Sequence, residues 1–195
     1  APDYPGLGSP MAHPYLIGVD TARSVLDAVR AARALPEARA GADFAVWGES
    51  QGGHAALWTA VEAARYAPEL RLLGTAAAAP PTDLAANLRL GSDANVRAML
   101  AAYAAYSWSQ HFGHPLSSLF NKTNAGVATR LARNNCIELG KKPRLGTILG
   151  IAAIRGALRN KDMAAMPPWA GIARANSVAP GAVSGPLLIV QGTAD

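Results

Sequence analysis

An α/β protein built on a parallel sheet is the fold class this sequence predicts, and three observations predict it. Short apolar runs suited to strands alternate with amphipathic stretches at helical spacing. A glycine-flanked tight turn joins the first of those runs directly to a helix. The 195 residues are half apolar and 16% charged, enough for one domain with a real core and too apolar for disorder.

Residues 15–34 read as an amphipathic helix. Leu16, Val19, Ala22, Val25, Leu26 and Val29 recur at helical spacing, and Asp20, Arg23, Asp27, Arg30 and Arg33 hold the other face until Pro36 stops the run. Phe44-Ala45-Val46-Trp47 is an apolar run ending at Gly48, long enough for a buried parallel strand. The helical period returns from Gln51 to about Tyr66 through Ala55, Trp58 and Val61, with Pro68 beyond its end. Leu70 to Ala77 is a second buried-strand candidate, closed by Pro80-Pro81, and Pro186-Leu187-Leu188-Ile189-Val190 is the third and most strand-like.

Between about Thr82 and Met166 the alternation fails. The stretch reads as helical or irregular, with Tyr103, Tyr106, Trp108, Phe112 and Phe120 bunched together. It is too long for an ordinary connection and is expected to be a cap inserted into a single domain spanning 1–195. Its aromatics either pack the cap on the core or face a substrate.

Composition excludes several function classes. The formal charge is +5, but the arginines are scattered; the nearest basic cluster, Lys141-Lys142-Pro143-Arg144, has no aromatic ladder beside it, so a nucleic-acid partner is not expected. No apolar run reaches the roughly 18–20 residues of a membrane span. The start, Ala1-Pro2-Asp3-Tyr4-Pro5, has neither the basic residues nor the apolar stretch of a signal peptide. Neither a dinucleotide glycine fingerprint nor a P-loop is present, which argues against dehydrogenase and kinase readings.

Gly48-Glu49-Ser50-Gln51-Gly52 matches G-x-S-x-G. Alone the pentapeptide is weak; between a strand that ends at Gly48 and a helix that starts at Gln51 it is the nucleophile elbow of an α/β-hydrolase fold. The turn forces Ser50 into strained backbone angles, and the flanking glycines are expected because side chains there would strike neighbouring backbone. The Gln51 backbone N–H, at the helix start, points where an oxyanion would form. The bland alternative is a glycine-rich turn with a helix-capping serine.

A serine hydroxyl becomes a nucleophile when an imidazole takes its proton and a carboxylate orients that imidazole. In this fold the order is Ser, then acid, then His. Asp195, after the strand 186–190, is the expected acid; Asp83 competes, though Thr82-Asp83 before Leu84 reads better as a helix start. His13, His54, His111 and His114 all precede the acid, and none is assigned as the base. The histidine is therefore expected beyond residue 195. With only one clear strand before Ser50, the sequence is expected to be an interior piece of a longer hydrolase domain, incomplete at both ends and inactive by itself.

These motifs together resemble the secretory lipase family, α/β-hydrolases related to fungal lipase A, in an actinobacterial style. The anchors are Asp3-Tyr4-Pro5-Gly6-Leu7-Gly8, His13-Pro14-Tyr15-Leu16, the Gly48–Gly53 elbow, Tyr66-Ala67-Pro68-Glu69-Leu70, Pro81-Thr82-Asp83-Leu84 and Gln191–Asp195. The resemblance implies secretion, hydrolysis of triacylglycerols or other lipid esters, a helical cap with possible contact to a lipid interface, and matches at Ser50 for the nucleophile and Asp195 for the acid. It places a second oxyanion donor upstream, and suggests that Cys136 pairs with a cysteine in a preceding N-terminal part, tying cap to core in an oxidising compartment; the alternative is a small buried thiol.

The chemistry so described needs no metal and no organic cofactor. The alternatives are a peptidase or acyltransferase on the same fold, or a non-catalytic fragment that only binds lipid.

Overall fold

A computed structural model describes residues 1–91, 93–135 and 142–193. Two compact units make it up: residues 1–83 with 176–195, and residues 84–175. Cys136, Asp195 and Lys141 of the basic cluster fall outside the described residues.

The first unit holds α1 (Gly18–Ala34), β1 (Asp43–Glu49), α2 (Gln51–Tyr66), β2 (Arg71–Ala78) and β3 (Leu187–Val190). The strands form a parallel sheet in the order β1-β2-β3. Helix α1 begins at Gly18, three residues later than its apolar period suggests. Leu16 sits at φ 54°, outside the helical region, in a turn closed by Ile17 N–H donating to the Pro14 carbonyl at 3.1 Å. Strand β1 runs on through Glu49, two residues past the apolar run, because Gly48 and Glu49 still pair with Ala77 and Ala78.

Helices α1 and α2 pack together around Leu26, Ala63, Ala67 and Leu70, with Val29, Phe44, Tyr66 and Leu72 against them. A polar clamp closes the rim of that core. Arg30 donates to Glu69 at 2.7 Å, to Asp27 at 2.8 Å and to the Tyr66 carbonyl at 2.8 Å, while its guanidinium lies 4.8 Å from the Tyr66 ring centre. At the strand starts Arg71 bridges to the Asp43 carboxylate through two nitrogens, joining β2 to β1.

The expectation that all three strands are buried is not met. Trp47 is 70% exposed, and Leu187, Leu188, Ile189 and Val190 are all exposed. Among the described residues β1 and β3 are the outer strands of this sheet, so each has one neighbour where a central parallel strand has two.

The second unit is helical: α3 (Leu84–Leu90), α4 (Ala94–Phe112), α5 (Lys122–Asn134), α6 (Leu145–Leu158) and all but the last residue of α7 (Trp169–Asn176). Local signals bound these helices. Asp93 caps α4 by accepting from the Asn95 and Val96 N–H groups, Gly113 ends it at φ 72°, and Asn121 caps α5 through the Asn124 N–H. Trp108, Phe120 and Trp169 are almost fully buried, with Tyr103 close behind, and the Trp169 indole donates to the Ser118 hydroxyl at 3.0 Å. These side chains are buried within the second unit, whereas Phe112 is exposed.

Leu26 is fully buried between α1 and α2. Leu26→Ala is expected to destabilise the first unit by about 2–5 kcal/mol, read as a lower midpoint in urea unfolding. A change under about 1 kcal/mol would mean the cavity collapses or the α1–α2 core carries little of the stability.

Candidate active site

The turn from β1 into α2 is set by a backbone contact. A Cβ placed on Gly48 would lie 2.0 Å from the Gly52 carbonyl oxygen and 2.2 Å from its carbon. Only glycine permits that approach. Gly52 itself has open space where its own Cβ would stand, so the second motif glycine is not required by packing, contrary to the sequence expectation. The crowded partner is the next residue: a Cβ on Gly53 would meet the Ala78 carbonyl at 3.0 Å and Pro80 at 3.1 Å.

Ser50 sits at the apex with φ 51° and ψ −117°, and it is exposed. Its N–H donates to the Ala78 carbonyl at 2.9 Å, and its carbonyl accepts the first α2 hydrogen bond, from His54 N–H at 3.0 Å. The side chain makes no capping hydrogen bond. This removes the bland reading of Ser50 as a capping serine and leaves its hydroxyl at the surface of a strained turn. Gln51, in the first turn of α2, has a backbone N–H with no acceptor inside the helix, as every helix start does.

The strand register brings the segment after β3 to the same end of the sheet. Ala78 pairs with Glu49 on one side and Val190 on the other, and Ala79 N–H donates to the Val190 carbonyl at 2.7 Å. Gln191 to Thr193 thus leave the sheet two strands from Ser50, roughly 10 Å at the usual spacing. Asp195 itself is outside the described residues. Asp83 is exposed and directly precedes α3, as its helix-start reading anticipates.

Two histidines lie beside the elbow, and both are held by the scaffold. His54 is completely buried. Its Nε2–H donates to the Asn176 carbonyl at 2.8 Å, an oxygen that also accepts from the Trp58 indole at 3.0 Å. Its Nδ1 is buried without a hydrogen-bond partner among the described residues. Burial pushes its pKa down to about 4, so the ring is neutral at neutral pH.

His13, which the sequence leaves without a role, reaches the elbow. Its Nδ1–H donates to the Pro5 carbonyl at 3.3 Å, and its Nε2 accepts from the Gln51 side-chain amide at 2.6 Å. Burial also lowers the pKa of His13, against the opposing effect of these two bonds. Its ring packs between Tyr4 and Tyr15, with centres 5.5 and 6.2 Å away. The Gly6 turn makes room: a Cβ there would lie 2.4 Å from the His13 nitrogen. No sequence signal links His13 to Gln51, 38 residues apart.

Asn176 was also missed. Its side-chain oxygen accepts from Gly18 N–H at 3.0 Å, so one residue joins the start of α1 to His54 and Trp58 of α2. His111 and His114 belong to the second unit; His111 is exposed with its ring centre 4.7 Å from that of Phe112. Among the described residues, no group of three or more His, Cys, Asp or Glu could hold a metal, and no helix is long and apolar enough to cross a membrane.

A parallel sheet with a strained serine elbow at its carboxyl end defines the α/β-hydrolase fold, and solved structures agree. The X-ray structure of Candida antarctica lipase A superposes with a TM-score of 0.66 at 17% identity, over 91% of this chain and 42% of that one. The same lipase in its closed state gives 0.65 at 17% identity, over 91% and 43%. A Legionella pneumophila protein taken to be a hydrolase gives 0.69 at 18% identity, over 97% and 54%. The chain thus spans about half the length of the structures it matches. A search of curated proteins gave no match. The secretory lipase family model matches residues 1–128, and the chain belongs to that family.

Two tests follow from the elbow's packing and protonation. Gly48→Ala is expected to lower stability by at least about 1–3 kcal/mol, since backbone must move to admit the methyl group, whereas Gly52→Ala should be far milder. Equal unfolding midpoints for the two variants would contradict the geometry. Separately, the unfolded chain protonates His54 near its ordinary pKa of 6.5, while the folded chain resists until about 4. The unfolded state therefore binds more protons between those limits, and stability falls as pH drops from about 6.5 to 4, by roughly 3 kcal/mol from this residue. Unfolding midpoints measured across that range should fall less steeply in His54→Gln than in the parent; identical slopes would show that His54 does not titrate as described.

Proposed function

We propose that this protein is a carboxylic ester hydrolase of the lipase type, with Ser50 forming an acyl-enzyme that water then hydrolyses. The observation that carries the reading is Ser50 itself: φ 51°, exposed, its hydroxyl unused for capping, at the end of a strand and the start of a helix. Membership of the secretory lipase family supports a lipid-ester substrate, a triacylglycerol above all, and a site of action outside the cell.

In this mechanism Ser50 Oγ attacks the ester carbonyl, and the Gln51 N–H donates to the oxyanion as charge develops there. Asp195 is proposed as the acid that orients the base, supported by the register that carries its segment to the elbow's end of the sheet. Neither His13 nor His54 suits the base. Each commits its Nε2 to the scaffold, and His54 is buried besides. The Ser-acid-His order puts the base after Asp195. Helices 84–175 are proposed as the part that meets a lipid interface.

A fluorophosphonate probe is expected to label Ser50 in the active enzyme. Ser50→Ala should abolish labelling and cut hydrolysis of p-nitrophenyl esters by about 10³-fold or more, with peptide anilides poor substrates throughout. Labelling that survives Ser50→Ala would overturn the assignment. Residues 1–195 alone should show no Ser50-dependent turnover; substantial turnover would make one of the four histidines the base.

A further inference from the structure

The second unit contains a cavity of about 400 Å³, within the range of roughly 300–1,000 Å³ usual for ligand sites. Arg89, Arg97, Arg155, Arg159 and Lys161 line it, against a single lining carboxylate, Asp162. Leu88, Ala98, Leu158 and Met163 supply an apolar floor.

The carboxylates nearby are already engaged. Asp162 accepts from Arg89 at 2.7 Å, and Asp93 is occupied in capping α4. Among the described residues the other cations hydrogen-bond to neutral groups: Arg97 donates to the Gly91 carbonyl, Arg155 to Asn95 Oδ1 at 3.0 Å and Lys161 to the Leu119 carbonyl. The Arg159 guanidinium has no partner among the described residues. The Asp93 carboxylate also lies close enough to Arg97 and Arg155 to interact with them electrostatically, so five cations face two carboxylates, Asp93 and Asp162, and the opening keeps an excess of positive charge that attracts an anion.

Helix α6 continues this face. Leu145, Ile148, Leu149, Ala152, Arg155 and Arg159 recur every three or four residues and therefore share one side of the helix. All six are exposed, Leu145 by 71% and Leu149 by 61%. Along one stripe, three large apolar side chains give way to two arginines at the cavity, with about 9 Å from Leu149 to Arg155 at ~1.5 Å rise per residue. Apolar residues that can enter an acyl layer beside cations that can meet head groups are the chemistry of a surface lying on an anionic lipid layer.

We propose that the α6 stripe and the adjoining basic cavity form a docking face for an anionic lipid surface, with one phosphate or carboxylate head group seated among Arg97, Arg155 and Arg159. The choice of lipid as the partner rests on the lipid-ester reading above. The test reads binding without turnover, so a failed docking face leaves the Ser50 assignment standing, and the converse.

The test is sedimentation of the 195-residue chain with phosphatidylcholine vesicles, with and without phosphatidylglycerol. Binding should require phosphatidylglycerol and weaken with salt. Arg155→Gln with Arg159→Gln should weaken it about 25-fold, at about fivefold per cation removed. Arg130→Gln with Arg133→Gln, the same charge change on exposed residues of α5, should have a clearly smaller effect. Ile148→Gln with Leu149→Gln should reduce the binding that persists at high salt. All three variants alter exposed side chains, and circular dichroism would verify that each is folded. Equal binding to neutral vesicles, or equal losses for the two arginine pairs, would overturn the proposal. So would competition by inorganic phosphate beyond that of chloride at matched ionic strength, which would make the cavity a site for soluble anions instead.

Discussion

The contact between Gly48 and the Gly52 backbone is the constraint on which the elbow depends. A strand can turn into a helix this sharply only if its last inward-facing residue has no side chain, and Gly48 meets that condition. Ser50 then has to take a positive φ, and its N–H is tied to the Ala78 carbonyl of the neighbouring strand. The strain is held because β1 is zipped to β2 up to Glu49, one residue before the turn, while α2 is already formed one residue after it. A looser connection would relax Ser50 into an ordinary helix-capping geometry, with its hydroxyl drawn back to the helix N-terminus.

The second constraint is polar and acts behind the elbow. Helix α1 begins at Gly18, where a Cβ would overlap the Trp58 ring at 2.1 Å, so the two helices meet at close range. Such proximity buries Gly18 at the start of α1, whose N–H has no acceptor inside the helix. Asn176 answers this with its side-chain oxygen on Gly18, and its carbonyl serves His54 and Trp58. The residue lies 158 positions from Gly18 yet supplies partners to both helices. Three donors are thereby satisfied by one buried residue, which also fixes the tautomer of His54.

What could be read in the sequence was local. The serine elbow, the α2 boundaries, the three strands and the helical character of 82–166 each leave a signal within ten or twenty residues: periodicity, proline stops, glycine at a tight turn. Long-range polar contacts leave none. The bond from Gln51 to His13 and the Asn176 hub depend on which loops meet in space, and a histidine beside a proline looks the same whether it approaches a helix or touches the elbow. Strand burial was misjudged for a related reason. Apolarity along Leu187–Val190 reports what the strand could bury, while its exposure depends on neighbours that no single run encodes. The start of α1 failed because Leu16 continues the apolar period while its backbone leaves the helical region.

The two histidines at the elbow couple its architecture to its chemistry. Both are shaped to be neutral: His13 presents a bare nitrogen to an amide donor, and His54 is buried where an imidazolium would have no counter-charge. A serine hydrolase needs its base neutral as well, since only the free imidazole accepts the hydroxyl proton. Scaffold and proposed mechanism would therefore fail in the same direction as pH falls, though for separable reasons. Protonation of a base lowers turnover reversibly with the fold intact, whereas protonation of His13 opposes two donors at 2.6 Å and forces the Gln51 side chain to turn over or withdraw. Because Gln51 also carries the N–H proposed to meet the oxyanion, disturbance at His13 would reach that reaction through the shape of the turn. The elbow is thus defined by the five residues of its motif together with a loop that precedes it by more than thirty residues.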